Sequence, residues 1–575
     1  MAGPLFVPEN APFSAEQREW LNDFFAKQLA GGSAPDTGGP AVPVTILWGS
    51  QTGNAEGCAK RMAKALNGGR FETEVFDLAN YEVAKLSQEK NVLLITSTYG
   101  DGEPPDNAAD FVETLLSESA PKMEGVKFSV LALGDTEYPD FCETGIVIDR
   151  RFGELGGERI YDRVDCDVDY DEPFDVWKAG IIDVLGAGSA TAELVDAPAE
   201  DEPYGKKKPF PAPVLNNYDL NKEGAFKATH HVEFSLEDSG LEYSAGDALG
   251  VLPVNPEAAV DELLAALPFN TERDVPLPGG GEAPLKQALM YNYDIRSLNK
   301  KLVTAWQERS GSPYLRSVVE ADDKKVWDDF FWGRELIDLA ADYPADFRDG
   351  EEFVGVLKKL QPRLYSISSS PKAHPGEVHL TVAVVTYDSH GRSRGGVCST
   401  FLADRCEGVQ PGVFVHVNKA FRPPADENAP MIMVGPGTGI APFRAFLEER
   451  EATGAKGKNW LFFGNPYRTT DYLYEEELAE KLESGALNKL SLAFSRDQKE
   501  KLYVQHLMLQ EGAELWKWLD EGAHFYVCGD ASRMAKDVDA ALHQVIQEHG
   551  GKSEEEAIEF VKQLKKDKRY GRDVY

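Results

Sequence analysis

Three polar loops in this sequence stand at the ends of apolar runs, and each offers groups that would hold a phosphate or a flat ring. After Val44, Thr45, Ile46, Leu47 and Trp48 come Ser50, Gln51, Thr52, Gly53, Asn54 and Ala55. Hydroxyls, a side-chain amide and backbone N–H groups that open onto a helix can bind one terminal phosphate without a lysine. The stretch lacks the Gly-Lys-Ser/Thr of a Walker loop and the three spaced glycines of a dinucleotide fingerprint, so it suits a mononucleotide. The same turn would equally serve as an ordinary helix N-cap. After Val92, Leu93, Leu94 and Ile95 come Ser97, Thr98, Tyr99, Gly100, Asp101 and Gly102, and after Val130, Leu131, Ala132 and Leu133 come Gly134, Asp135, Thr136, Glu137 and Tyr138. In an open parallel sheet, ligands bind beyond the strand C-termini, so the three loops are expected to converge. Tyr99 and Tyr138 become candidate plates on either side of a ring.

Further candidate residues lie in the C-terminal half. Arg363, Leu364, Tyr365 and Ser366 alternate as on a strand, so Arg363 and Tyr365 face the same way, one towards a phosphate and the other towards a ring or ribose. Beyond them, Gly395, Gly396, Val397, Cys398, Ser399 and Thr400 precede a helical run and supply N–H donors for a pyrophosphate. Met431, Ile432, Met433 and Val434 lead into Gly435, Pro436, Gly437, Thr438, Gly439 and Ile440 and then a helix, where glycines allow close backbone approach to a diphosphate. A bare Gly-x-Gly-x-Gly says little; the succession strand, loop, helix and second strand, ending at Phe462, Phe463 and Gly464, says much more. After another strand, residues 495–505 gather Ser495, Arg496, Lys501, Leu502, Tyr503, Val504 and Gln505, cations among hydroxyls that suit a ribose 2′-phosphate. An NAD site would favour an acidic group there, and without the glycine loop the cluster would be a solvated charge run. NADPH is therefore expected, with Asp537 nearby. Tyr526, Val527, Cys528, Gly529 and Asp530 close one more strand at this crevice, and the sequence ends in Arg572, Asp573, Val574 and Tyr575. Tyr575 could cover a ring or simply fray, and Cys528 could be a small buried hydrophobe.

The elements that must position these groups need several domains, because 575 residues exceed a single core. A formal charge of −36 and a pI near 4.7 argue against nucleic acid and favour a basic docking partner, although most single acids only solvate the surface. Six cysteines, at 58, 142, 166, 398, 406 and 528, lack Cys-x-x-Cys spacing and neighbouring His pairs, so no metal is expected on this chain and any iron belongs to another. Neither a signal segment nor an apolar run near the ~20 residues of a membrane span is present, which points to a cytoplasmic protein with reduced thiols. Ser14 and Gln17 form a capping box ahead of Trp20, Leu21, Phe24, Phe25 and Leu29, an amphipathic helix on a Gly/Pro tether that is free to dock on another subunit or in cis. Residues 43–186 read as a parallel α/β domain and 187–213 as a linker. Residues 214–425 read as a β-barrel with a helical insertion at about 255–350, and 426–575 as a Rossmann-like nucleotide domain.

On the loop residues quoted above, residues 43–186 resemble a flavodoxin-like FMN domain. The resemblance implies Ser50, Gln51, Thr52, Gly53, Asn54 and Ala55 at the phosphate. Ser97, Thr98, Tyr99, Gly100, Leu133, Gly134, Asp135, Tyr138, Phe141 and Cys142 would line the ring. Arg363, Tyr365 and Ser366, with Leu364 between them, and Gly396, Val397, Cys398 and Ser399 resemble the FAD signature of the ferredoxin–NADP⁺ reductase superfamily, with Tyr387 at the adenine side. The whole order is similar to the diflavin reductases over all but about the first 40 residues. Residues 435–444, 458–466, 495–501 and 569–575 carry a narrower likeness to the flavoprotein components of NADPH-dependent sulfite reductases. This implies hydride transfer from NADPH to FAD, single electrons from FAD to FMN across a hinge, and delivery to a siroheme and iron–sulfur hemoprotein, with assembly through the N-terminal region. Ser366, Cys528 and Asp573 would then form the hydride-transfer neighbourhood, with Asp573 offsetting positive charge on the nicotinamide. Ser366 could instead be a plain strand hydroxyl, and the linker a mere spacer. Tyr99 departs from the Gln expected in enterobacterial members and is similar to the cytochrome P450 reductases. A soluble reductase for a P450 or other heme protein, and a redox-storage or scaffold subunit, are the two alternative readings.

Overall fold

The computed structural model describes residues 42–50, 52–67, 71–99, 102–136, 140–186, 203–267, 269–321 and 323–575, and the chain divides into two compact units at Val195 and Asp196. The expected N-terminal helix and tether, Gln51, Gly100, Tyr138 and most of the expected linker lie outside the described residues.

In the first unit, β1 (Val42–Gly49), β2 (Phe71–Asp77), β3 (Asn91–Ser97), β4 (Lys127–Leu133), β5 (Glu158–Arg159) and β6 (Val164–Cys166) form one sheet in the order β2-β1-β3-β4-β5, with β6 also on β4. Every pairing is parallel. Strands covered on both faces must be apolar throughout, and β3 alternates its burial accordingly. Val92 and Leu94 enter a core with Phe111, Leu115, Ile148 and Phe152, whereas Leu93 and Ile95 enter a core with Cys58, Met62, Phe174 and Trp177. Helices thus cover opposite faces, and the crevice opens beyond β1, β3 and β4.

In the second unit, β7 (Phe210–Pro211), β8 (Val214–Asp219), β9 (Thr229–Ser235) and β10 (Ala248–Val251) precede the insertion, which runs from the helix Glu257–Ala266 to the helix Gly350–Val354 around Leu289, Trp306 and Phe353. A two-stranded ribbon, β11 (Asp274–Pro276) and β12 (Glu282–Pro284), lies within it. There follow β13 (Arg363–Ser366), β14 (Glu377–Ala383), the hairpin β15 (Thr386–Ser389) and β16 (Arg392–Gly395), and β17 (Gly412–His416). The barrel is two antiparallel sheets, β13-β10-β17-β7 and β14-β9-β8, which share a core of Phe234, Leu249, Val251, Val378 and Leu380 and meet at the bridge Ile367↔Leu380. Phe210 pairs with Val413, so the last residues of the expected linker belong to the barrel; a two-residue edge strand is too short to show a period.

The chain ends in a parallel sheet of β18 (Met431–Val434), β19 (Asn459–Asn465), β20 (Lys489–Phe494), β21 (His524–Gly529) and β22 (Tyr570–Val574), ordered β20-β19-β18-β21-β22. Among the described residues no helix is long and apolar enough to cross a membrane.

Candidate functional site

Ser50 follows β1 directly and its Oγ accepts hydrogen bonds from the backbone N–H groups of Gly53 (2.9 Å) and Ala55 (3.2 Å), at the start of the helix Asn54–Leu66. Gly53 sits at φ 93°, which a side chain would resist, and this tight turn brings the Gly53 and Ala55 N–H groups onto the Ser50 hydroxyl. Two braces went unnoticed in the sequence. Asn107 accepts from the Ser50 N–H at 2.9 Å and donates to Asp77 at 2.9 Å, while the Tyr170 hydroxyl donates to Asn54 Oδ1 at 3.3 Å. The second and third loops are joined by the Thr98 N–H donating to the Leu133 carbonyl at 2.9 Å, and Tyr99 exchanges two 2.8 Å backbone bonds with Glu103. A Cβ on Gly134 would stand 2.8 Å from the Cys142 nitrogen. Ser50, Thr52, Gly53, Asn54, Ser97, Thr98, Tyr99, Gly134, Asp135 and Phe141 are half-buried, and Ala55, Leu133 and Cys142 are buried. Burial pushes the Cys142 thiol pKa well up.

In the second unit, β13 lies antiparallel to β10, with Leu364 opposite Gly250 and Ser366 opposite Ala248. A Cβ on Gly250 would enter the Phe414 ring. Leu364 is 48% exposed, while Arg363, Tyr365 and Ser366 are half-buried, so the strand presents the expected residues. Burial raises the Tyr365 pKa well above its ordinary value, and the neighbouring buried Cys398 thiol adds to the rise. Gly396 caps the helix Val397–Asp404, and the Ser399 hydroxyl accepts from the Val385 N–H at 3.2 Å. Tyr387 is exposed on its hairpin, with its hydroxyl 3.4 Å from Glu335. Glu335 also binds Arg394 (2.6 Å) and Arg296; Arg394 binds Asp338 (2.6 Å), and Arg296 donates to the Gly395 carbonyl. This ionic net anchors the hairpin and glycine turn to the insertion. No periodicity announces it, because its partners are far apart in sequence.

The three candidate catalytic residues meet. Ser366 Oγ donates to Asp573 Oδ2 at 2.6 Å, and the Cys528 thiol donates to the same oxygen at 3.8 Å. Cys528 and Asp573 are register partners on the parallel strands β21 and β22. Burial raises the pKa of both, for Asp573 against the opposing hydrogen bonds of Ser366 and Cys528. Beside them the glycine turn, residues 437–440, is so close that a Cβ on Gly439 would stand 2.1 Å from the Cys528 carbonyl oxygen. Thr438 Oγ1 lies 2.9 Å from the Tyr575 hydroxyl, and the Tyr575 N–H donates to the Gly529 carbonyl at 3.0 Å, so the final residue is tied to the sheet.

The loops after β19 and β20 are laced together: Ser495 N–H donates to the Asn465 carbonyl (3.0 Å), Arg496 N–H to the Pro466 carbonyl (2.8 Å), and Arg468 N–H to the Asp497 carboxylate (3.2 and 3.3 Å). Arg496, Lys501 and Tyr503 are exposed there, Leu502 is half-buried, and Val504 is buried behind them at the start of the helix Val504–Gln510. Gln505 donates to Asp537 at 2.9 Å, bringing two expected residues together. Elsewhere in this unit, two His/Glu groups, His231 with Glu233 and His379, and His374 with Glu377 and His379, have ligand atoms within 4.8 Å of one another. Both include His379, whose Nδ1 lies 3.5 Å from the Arg444 guanidinium, a poor neighbour for a cation.

Three family models match the chain: Flavodoxin over residues 46–177, FAD binding domain over 202–401, and Oxidoreductase NAD-binding domain over 433–540. A sulfite reductase (NADPH) flavoprotein alpha-component of Bacillus subtilis (strain 168) is 44% identical, over 98% of this chain and 99% of its own length. Proteins of the same description from Shewanella sp. (strain ANA-3) and Cronobacter sakazakii (strain ATCC BAA-894) are 42% and 40% identical, covering 100% and 98% of this chain and 99% and 96% of their own. Three matched modules in one order, and likeness along the full length, place this chain among the diflavin reductases, in the family of the sulfite reductase (NADPH) flavoprotein alpha-components.

Proposed function

We propose that this chain is the NADPH-oxidising flavoprotein half of an assimilatory sulfite reductase. It works in the cytoplasm and passes electrons to a separate siroheme and iron–sulfur hemoprotein that makes sulfide for cysteine biosynthesis. The observation that carries the reading is the 2.6 Å contact between Ser366, on the strand with the flavin signature, and Asp573, beside the glycine turn. The residues fit their cofactors. The polar turn of Ser50, Thr52 and Asn54 at the start of a helix suits the FMN phosphate, Arg363 and the turn at Gly396 suit the FAD diphosphate, and Gly437 and Thr438 suit the NADPH diphosphate. When bound, NADPH supplies a hydride, and the two flavins convert that pair of electrons into single ones.

The chain's own residues do the rest. Ser495, Arg496, Lys501 and Tyr503 hold the 2′-phosphate, and Gln505, held by Asp537, orients the ribose side. Tyr575 covers the crevice from its tie to Thr438 and gives way to nicotinamide. Ser366 seats the amide end, Cys528 packs beside the reacting carbon, and the Asp573 carboxylate offsets positive charge developing on the nicotinamide. Docking through the N-terminal region completes the assembly with the hemoprotein.

The test is reconstitution. The purified chain, saturated with flavins, is expected to hold one FMN and one FAD, to reduce cytochrome c with NADPH, and to support sulfide formation when a siroheme hemoprotein is added. Sulfide formation failing while cytochrome c reduction persists would reassign the acceptor; a single bound flavin would end the proposal.

A further inference from the structure

Arg444 lies one helical turn past Ile440, on the helix Ala441–Thr453 that carries the chain away from the glycine turn. Its side chain is only 11% exposed, and every face of the guanidinium is used. Nη1 donates to the Ser368 carbonyl at 2.7 Å, Nε donates to Glu477 at 2.8 Å, and Nη2 pairs with Glu448 at 2.9 Å, with the Tyr474 ring 5.3 Å below. Ser368 stands two residues past Ser366, on the continuation of β13, where its N–H donates to the His379 carbonyl at 2.8 Å. Glu448 extends the joint by accepting from the Ser370 N–H at 2.9 Å. One rigid fork therefore spans from the helix that begins at the nicotinamide turn to the strand that presents Ser366.

The acceptor on that strand is a backbone carbonyl. A displaced side chain could be absorbed locally, whereas a displaced carbonyl moves the strand and with it the 2.6 Å contact between Ser366 and Asp573. Hydride transfer depends steeply on such spacing, and a misplacement of an ångström can cost about a hundredfold.

We propose that Arg444 is a positioning residue for hydride transfer, setting the distance between the flavin strand and the nicotinamide turn through the Ser368 carbonyl. The inference rests on the functional reading above and deepens it. In the step concerned a hydride, one proton with two electrons, leaves the nicotinamide carbon for the flavin, so that NADPH is oxidised and FAD reduced; Arg444 itself neither gains nor loses a proton.

The test uses the full-length protein loaded with both flavins. Arg444→Lys keeps a positive charge against Glu448 and Glu477, but a point ammonium cannot reach both carboxylates and the Ser368 carbonyl in one geometry. Glu477→Gln removes one negative charge from beside Arg444 while leaving an amide oxygen that can accept from Nε, does not touch Ser368, and serves as the control. Rapid-mixing reduction of FAD is measured with NADPH and with NADPH deuterated at the transferred position, alongside NADP⁺ affinity by calorimetry and the melting temperature. Arg444→Lys is expected to slow FAD reduction on the order of tenfold and to enlarge the isotope effect, with NADP⁺ affinity within about twofold of wild type. Glu477→Gln is expected to melt lower while keeping the wild-type rate and isotope effect. Wild-type reduction kinetics in Arg444→Lys, or slowing in both variants in proportion to lost stability, would overturn the proposal. A wild-type chain that binds NADP⁺ but takes up no FAD would instead sink the functional reading beneath it.

Discussion

Asp573 shows how one side chain couples chemistry to stability. Burial lifts its pKa above the ordinary carboxylate value of 3.8, so from 3.8 up to that lifted value the native chain keeps a proton that the unfolded chain has released. Stability from this group therefore falls as pH rises through that interval and stays lowered above it. Asp573→Asn removes the dependence: the variant should melt above wild type at neutral pH, with the gap closing as the pH falls towards 3.8, while FAD reduction by NADPH slows about a hundredfold. Melting curves across pH and rapid-mixing kinetics check the two arms, and a gap that widens in acid would contradict the assignment. Ser366, Cys528 and Asp573 were accessible from sequence only through family likeness, since 207 residues separate the first from the last and no spacing rule links them. Asn107 and Tyr170 escaped for the opposite reason. Each is an ordinary polar residue whose role exists only once β1 and its neighbours are assembled.

Among elements, the unit of β18, the glycine turn and the following helix is the most constrained. A Cβ on Gly439 meets the Cys528 carbonyl at 2.1 Å, and neither backbone can yield without disturbing the other. Gly439→Ala should destabilise the second unit by about 3 kcal/mol and weaken NADP⁺ binding, with FMN content unchanged. Denaturant unfolding and flavin analysis after acid release would show this, and an unaltered NADP⁺ affinity would count against it. Long apolar runs such as β3 and β18 were readable because burial on both faces forces their composition. The strand β7 was not, since two residues carry no alternation. Nor was the net of Arg296, Glu335, Arg394 and Asp338, which depends on a helical insertion folding back over a hairpin.

For the molecule as a whole, each unit has cores of its own. Leu93, Met62 and Trp177 share one in the first unit, while Trp306, Phe443 and Leu380 belong to separate cores in the second. Expressed apart, residues 42–186 should fold and hold FMN alone, and residues 203–575 should hold FAD alone and still oxidise NADPH with an artificial acceptor. Flavin identification by chromatography and ferricyanide reduction would decide this, and loss of FAD from the larger piece would show that the division is wrong. The order of the three nucleotide-binding modules was legible because each carries a loop signature of its own, wherever in the module it falls. What loop signatures do not convey is that the outermost strand of the final sheet, β22, delivers Asp573. Held by β21 alone, that strand can loosen without unfolding the sheet behind it, so local fraying there would idle the nicotinamide half while bound pigment stayed in place.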